Sequence, residues 1–354
     1  MAKILYGVHC TGDGHVTRAL SIAREFPEHE FLFVCDTSKA HLIRPEFEVV
    51  EAPGLKTVTH ANRVDLGATI GTNLRILSRG RQWVHMVLRL MEQFKPDAAI
   101  ADLESWVQFA SFRAGLPCLS LDHGHVLTLC DYPVPRAQRP RQMIDCMLIE
   151  LFFSRASHYA ITSFFRAPLK DNVRARIIPT VLRRNVRDRE PSEGDHILAF
   201  HSFAGFEKII PLLQNQSRPV IVYGYGEERR EGNLCFKKRS VEGFLDDLAS
   251  CCYLICGGGH TVVGEALFYG KPVLSFPGHY FEQYLSAFYV EHLGYGKFVK
   301  RARSNGEIIP SFEAGLDDFR TNIRGRRFWG TDEAVELVSR FVRHKEIEPD
   351  PAAG

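Results

Sequence analysis

The stretch KILYGVHCTGDGHVTRALSIAREFPEHEFLFVCD, residues 3–36, decides the fold. Its Ile4-Leu5-Tyr6-Gly7-Val8 is a short apolar run of the kind that forms a strand buried on both faces. A glycine-containing turn follows, and then Val16, Ala19, Leu20, Ile22, Ala23 and Phe26 recur at helical spacing. Phe31-Leu32-Phe33-Val34 reads as a second strand that ends at Asp36. Strand, glycine turn, helix and strand make a βαβ unit, which implies a parallel sheet covered on both faces.

The rhythm continues outward from there. Ala98-Ala99-Ile100-Ala101 reads as a strand, residues 105–114 as a helix, Cys118-Leu119-Ser120-Leu121 as the next strand and Tyr159-Ala160-Ile161-Thr162 as another. Residues 183–195, RRNVRDREPSEGD, are charged, nearly free of apolar side chains and broken by proline, so they read as a linker. Beyond them strands are expected at 196–200, 219–223, 253–256 and 272–276, and helices at 206–214 and 260–269. The expected class is α/β: two tandem doubly wound Rossmann-like domains facing a cleft. They span 1–185 and 196–330, with linker 186–195. Residues 331–345 form a helix packing back toward the first domain, with Thr331 as its cap, Asp332 and Glu333 in its first turn and Arg343 and Lys345 in its last. Residues 346–354 are expected to fray.

Composition narrows the class further. A chain of 354 residues fits two domains, and 45% hydrophobic with 24% charged residues excludes a disordered chain. Lys plus Arg number 44 against 42 Asp plus Glu, and the net charge of +2 gives no overall drive toward nucleic acid. The nine cysteines include no CxxC pair, and Cys251, Cys252 and Cys256 share one apolar stretch. That pattern points to reduced thiols in a cytoplasmic protein rather than to a disulfide framework or zinc site. No run approaches the ~20 apolar residues of a membrane-spanning helix. Two stretches, Leu74–Arg89 and Met143–Arg166, mix apolar and aromatic residues with arginines. Such helices lie peripherally on an anionic membrane, here the inner face of the cytoplasmic membrane, or pack on their own sheet with a solvated arginine face.

Doubly wound sheets bind ligands beyond the carboxyl ends of their strands, which directs attention to two glycine turns. One is Gly12-Asp13-Gly14-His15, and the other is Gly257-Gly258-Gly259-His260-Thr261. Glycine there lets backbone approach a ligand, while the first-turn amides of the next helix favour an anion such as phosphate. Neither is a Walker loop. Gly12-x-Gly14 with Asp36 also suggests a nicotinamide fingerprint, but Thr17 stands where its third glycine belongs. A bare tight turn is the other reading of that segment.

The run Gly257 to Leu267, with Gly270-Lys271-Pro272-Val273, Pro277 and Glu282-Gln283, resembles the donor-binding signature of GT-B glycosyltransferases. It is most similar to the branch holding the peptidoglycan N-acetylglucosaminyltransferase and the UDP-glycosyltransferases. Gly12 to Ala23 resembles the amino-terminal loop and helix of the same group. Tyr6-Gly7-Val8, Asp102-Leu103-Glu104 and Asp122-His123-Gly124-His125 are similar to a less characterised prokaryotic subgroup. The resemblance covers most of residues 1–345 and is strongest over 256–283. It departs in the first loop, where a longer glycine run and a proline after the histidine are missing, so no acceptor is inherited.

What the resemblance implies is an inverting, metal-independent transfer of a sugar from a UDP-sugar to an unidentified acceptor, small or lipid-linked and belonging to the cell envelope. No cofactor or metal is expected. Gly12 and Gly14 would shape the first loop; Gly257, Gly258, Gly259, His260 and Thr261 would hold the diphosphate and Glu265 the ribose. Glu282 and Gln283 would hold the sugar, Ser202 and Gly205 the diphosphate or sugar. Phe244 would contact uracil, or is simply a core phenylalanine. His15 would be the base that deprotonates the acceptor, oriented by Asp102 or, in competition, Glu104. His123 and His125 would contact the acceptor; as zinc ligands they lack a third partner. A UDP-sugar epimerase of the same architecture, an NAD-dependent oxidoreductase using the first turn, and a non-catalytic nucleotide-sugar-binding protein are the alternatives.

Overall fold

The computed structural model describes residues 1–9, 11–60, 63–202, 205–238, 240–278, 280–300, 306–348 and 350. The chain forms two compact units, one from Met1–Thr59, Val64–Arg183 and Trp329–Gly354, the other chiefly from Arg184–Phe328.

In the first unit the strands are β1 (Lys3–Val8), β2 (Glu30–Cys35), β3 (Glu48–Glu51), β4 (Ala98–Asp102), β5 (Cys118–Asp122), β6 (His158–Thr162) and β7 (Ala175–Ile178). They lie in the order β3-β2-β1-β4-β5-β6-β7, and every pairing is parallel. The order reverses between β1 and β4, where Val8 stands opposite Asp102. Connections leave β1 and β4 toward different sides there, opening a crevice at the carboxyl ends of both strands. Apolar runs on these strands are buried on both faces. Ile4, Tyr6 and Val8 pack on helix α1 (Gly14–Ala23) and on Leu337, Val338 and Phe341 of the C-terminal helix Thr331–His344. Leu5, Ala99 and Ala101 pack on the opposite layer with Val87, Trp106 and Val107.

Local details depart from the expectations. The cap of the C-terminal helix is Gly330, not Thr331; the buried Thr331 hydroxyl instead bonds the Leu182 backbone, accepting from its N–H at 3.0 Å and donating to its carbonyl at 2.9 Å. Beyond that helix, Glu348 pairs with Arg176 and Arg340, and Asp350 is tied down as well. Its buried carboxylate accepts from the Ile177 N–H and from Arg166, so fraying is not what these residues do. Residues 349 and 351–354 lie outside the described residues. Of the two arginine-bearing stretches, Ile76 and Val87 are buried and Trp83, Val84 and Leu88 pack on the core, as do Phe152 and Phe153; Phe164 and Phe165 are buried too. The aromatic residues therefore serve the fold.

The second unit repeats the plan. Its strands are β8 (Ile197–Phe200), β9 (Val220–Tyr223), β10 (Arg229–Glu231), β11 (Leu234–Lys237), β12 (Tyr253–Cys256), β13 (Val273–Ser275) and β14 (Gly296–Phe298). The order is β10-β11-β9-β8-β12-β13-β14, parallel except for β10 against β11. Its reversal falls between β8 and β12. The charged segment read as a linker is docked on this unit: Ser192 N and Gly194 N bond the carbonyls of Ala249 and Ser250, and Arg189 joins Glu242 and Asp246. Polar composition alone does not distinguish a solvated linker from one whose backbone finds partners.

Candidate active site

The reversal point of the first unit assembles a cluster of ionisable side chains. Gly12 has φ +74°, a conformation open to glycine at little cost, and it turns the chain from β1 into α1. The helix begins at Gly14, so His15 sits in its first turn rather than in the loop. The Nδ1 of His15 is 2.7 Å from Asp102 Oδ1. Asp102, the last residue of β4, is wholly buried, whereas 21% of the His15 side chain is exposed. A carboxylate oxygen accepts, so the network puts the ring proton on Nδ1 and leaves Nε2 as the basic lone pair.

Three further residues complete this cluster, and sequence reading assigned none of them a role. Arg18 is 6% exposed and grips Asp102 with two bonds, Nε to Oδ2 at 2.8 Å and Nη2 to Oδ1 at 2.6 Å. His9, at the end of β1, sets its ring edge-on to His15 at 5.0 Å and to Phe153 at 5.7 Å. Burial, with the neighbouring His15, pushes the His9 imidazolium down to about 3, so His9 is neutral near pH 7. Leu103 has φ +47° and packs over Gly124, where a β-carbon would lie 2.8 Å from its Cδ1. A bulky residue held left-handed marks stored strain beside the cluster.

Glu104 does not compete for His15. It caps helix α2 (Ser105–Ala114), accepting from Trp106 N at 2.9 Å and Val107 N at 2.7 Å, and Gly7 makes room for it, because a β-carbon there would lie 2.7 Å from its Oε2. Burial raises its carboxyl to about 7, against the pull of those two amides. The folded state therefore holds this proton more tightly than the unfolded chain. Its stabilising contribution is complete below the ordinary carboxyl range and is lost as pH rises toward 7. Urea titrations at pH 5, 6 and 7 are expected to show the stability of Glu104→Gln gaining on wild type by roughly 1 kcal/mol per pH unit. A difference independent of pH would contradict it.

The expected acceptor histidines are occupied. His125 is fully buried between Asp122 Oδ2 at 2.7 Å and Ser154 Oγ at 3.2 Å, and His123 is 4% exposed with Nδ1 2.9 Å from the Thr162 carbonyl. Asp36 is spent as well. Burial works against its charge, yet bonds from Ser38 and Gly54 and the nearby Lys56 hold its carboxyl below the usual range, with both oxygens used. Neither oxygen is left for a ribose, which removes the basis of the nicotinamide reading.

In the second unit the turn from β12 into helix α3 (His260–Phe268) lies at the reversal point. Gly258 has φ +77°, and a β-carbon on it would stand 2.9 Å from the Gln283 carbonyl oxygen and 3.0 Å from Ser275 Oγ. Only glycine fits there. Ser202, after β8, accepts from Gly257 N at 3.1 Å and so braces the turn. Gly205, with φ +88°, opens the short helix Phe206–Lys208, and residues 203 and 204 lie outside the described residues. Gly259 caps α3 without a side-chain bond. His260 is 5% exposed and Thr261 half-buried. Glu265 is buried on α3, which excludes a plain surface acid. Glu282 and Gln283 are half-buried in the first turn of helix α4 (Phe281–His292), and the Gln283 amide folds toward Gly278. Phe244, half-buried on Val241–Ser250, sets its ring against Phe200 at 5.5 Å and Tyr223 at 5.2 Å. Gly257–Thr261, Ser202 and Gln283 are thus brought together at the carboxyl ends of central strands. Among the described residues no cluster of three His, Cys, Asp or Glu side chains is arranged to hold a metal ion.

Comparison with known proteins shows the family and the fold. The profile of the family described as "Glycosyl transferase family 1" matches residues 2–316. An "Uncharacterized glycosyltransferase" of Methanosarcina acetivorans is 24% identical over 94% of this chain and 93% of its own length. Another from the same organism is 23% identical over 98% of both chains. Among solved structures, a UDP-glucosyltransferase from Polygonum tinctorium superposes with a TM-score of 0.69 at 12% identity, covering 97% of this chain and 98% of that one. The MurG of Acinetobacter baumannii superposes with a TM-score of 0.62 at 15% identity, covering 96% and 99%. These structures share the GT-B fold.

Proposed function

We propose, on the premise that this chain belongs to glycosyl transferase family 1 and is a glycosyltransferase of GT-B fold, that it transfers a sugar from a UDP-sugar to an acceptor hydroxyl with inversion and without a metal ion. The observation that carries the reading is the His15 ring, oriented by a buried carboxylate with Nε2 left to accept a proton. Nε2 takes the acceptor's proton as its oxygen attacks the anomeric carbon from the face opposite the diphosphate. The bond from that carbon to the phosphate oxygen breaks, and UDP departs with the electron pair. The first-turn amides of α3, following the Gly257–Gly259 turn, would offset the charge growing on the diphosphate. Glu265 would accept the ribose hydroxyls, Glu282 and Gln283 would bind the sugar, and Phe244 would lie against the uracil.

The test is a proton NMR time course with a UDP-sugar and an acceptor panel. Free UDP and a product of inverted anomeric configuration should accumulate together. UDP-sugar consumed without free UDP would instead favour the epimerase, and tight UDP binding without turnover a binding protein.

A lipid-linked acceptor is favoured by one surface. Helix α5 (Arg139–Phe153) has no fully buried residue, only its last two phenylalanines packing on the core. Met143, Ile144, Met147, Leu148 and Leu151 form an exposed stripe along it, Met143 being 66% exposed. Arg136 and Arg139 are exposed and Arg141 half-exposed at its start, complementary to anionic headgroups. Phe153 at its far end touches His9, which touches His15. The same helix thus joins the stripe to the proposed base. Full-length protein should sediment with phosphatidylglycerol vesicles, and Met147→Asp with Leu151→Asp should release it. Equal sedimentation of the double variant would contradict a membrane role. No helix among the described residues is long and apolar enough to cross a membrane.

A further inference from the structure

Arg18 is buried beside the proposed base yet cannot itself accept a proton near neutral pH. Its guanidinium covers Oδ2 with Nε at 2.8 Å and Oδ1 with Nη2 at 2.6 Å, a two-bond grip on a side chain with no exposure. Nη2 also stands 3.2 Å from His15 Nδ1. Two ring arrangements are open to His15 in this setting. With the proton on Nδ1 it donates to Asp102 Oδ1, and Nε2 is bare. With the proton on Nε2, the Nδ1 lone pair can accept from Arg18 Nη2 at 3.2 Å but also faces a carboxylate oxygen at 2.7 Å, and that nearer contact is repulsive unless the oxygen carries a proton.

The groups around the ring bear on which arrangement wins. Tyr6 comes from β1 and His9 is the residue after it, Asp102 comes from β4, and Asp122 and His123 from the end of β5 and the residue after it; Asp13, before α1, is paired to Lys39 of the helix after β2. Asp122 is taken up by His125 and Ser120, while burial holds His9 and His123 neutral. Arg18 is accordingly the one positive charge in bonding contact with Asp102 among the described residues.

We propose that Arg18 is the positioning residue of this site: by compensating Asp102 it keeps the His15 proton on Nδ1 and Nε2 free to act as a base. This rests on the reading of His15 as the base. Without the guanidinium, a wholly buried carboxylate would stand uncompensated, and the cluster recovers its charge by binding one proton. That proton sits either on the ring, making imidazolium, or on Asp102, which then donates to Nδ1 and drives the ring proton to Nε2. Either way Nε2 is blocked.

The experiment reads the two ring nitrogens directly, through long-range 1H–15N correlation at pH 7.5 on full-length protein labelled with 15N-histidine. His15 is assigned from the signals that vanish in His15→Gln. The wild type should show Nδ1 protonated and Nε2 bare, Arg18→Gln should show Nε2 protonated, and Arg18→Lys, which keeps the charge, should restore the wild-type pattern. A bare Nε2 in Arg18→Gln overturns the proposal, as does a protonated Nε2 in the wild type or in Arg18→Lys. Should Arg18→Gln fail to fold, the wild type and Arg18→Lys still decide. Undiminished UDP release in His15→Gln would remove the base reading and leave the ring-proton result for Arg18 standing, so the two failures are told apart.

Discussion

His15→Gln is expected to lower the rate of sugar transfer by about 10²- to 10⁴-fold, the range that a positioned general base contributes. Glutamine retains hydrogen-bonding capacity toward Asp102 and Arg18, so the buried pair stays satisfied and the fold should survive. What it lacks is a group that can bind the acceptor's proton reversibly. The affinity for UDP should be unchanged, because the proposed donor residues belong to the other unit, around the Gly257–Gly259 turn. Initial rates of UDP release, measured with calorimetric UDP binding on the same preparation, separate the two. Transfer at the wild-type rate would show that His15 is not the base.

Gly258→Ala is expected to have the second large effect, on donor binding. The residue has φ +77°, which costs an L-residue roughly 1–2 kcal/mol, and the new β-carbon would also meet the Gln283 carbonyl at 2.9 Å. Backbone cannot yield as a flexible side chain does, so the turn must move. The amides proposed to hold the diphosphate would then be displaced, and UDP affinity should fall by about a hundredfold or more, equivalent to roughly 3 kcal/mol. Gly270→Ala provides the control, since Gly270 also has a positive φ, +73°, yet nothing stands within 4 Å of its would-be β-carbon. That variant should lose some stability and keep UDP affinity. Equal UDP affinity in Gly258→Ala and wild type would argue against the turn as the diphosphate site.

The doubly wound architecture was legible in residues 3–36 because parallel strands buried on both faces read as unbroken apolar runs, and the glycine turns announced where those strands end. The two reversal points then followed from the order of the strands, bringing the loop after β1 to the end of β4 and the loop after β8 to the end of β12. Arg18 was present in the text three residues after His15, hence on the same helical face, but a single arginine among Val16, Ala19 and Leu20 also reads as a side chain reaching for solvent. Its partner lies 84 positions away, and only the pairing of β1 with β4 reveals it. Asp102 and Glu104 looked equivalent for a related reason. The left-handed Leu103 between them sends one carboxylate to His15 and the other to the start of α2, and no local pattern encodes that kink. His9 reads in sequence as no more than a polar residue after an apolar run, because its neutrality comes from burial that composition does not show.

The central claim is that the second unit binds a uridine diphosphate through the Gly257–Gly259 turn and Glu265. Isothermal titration of UDP, with NAD in parallel, into wild type and Glu265→Ala tests it most directly. A charged acceptor of two ribose hydrogen bonds contributes on the order of 1.5–3 kcal/mol per bond, so the variant should bind UDP at least tenfold more weakly and neither protein should bind NAD. Binding of NAD in place of UDP, or UDP affinity indifferent to Glu265, would contradict the account.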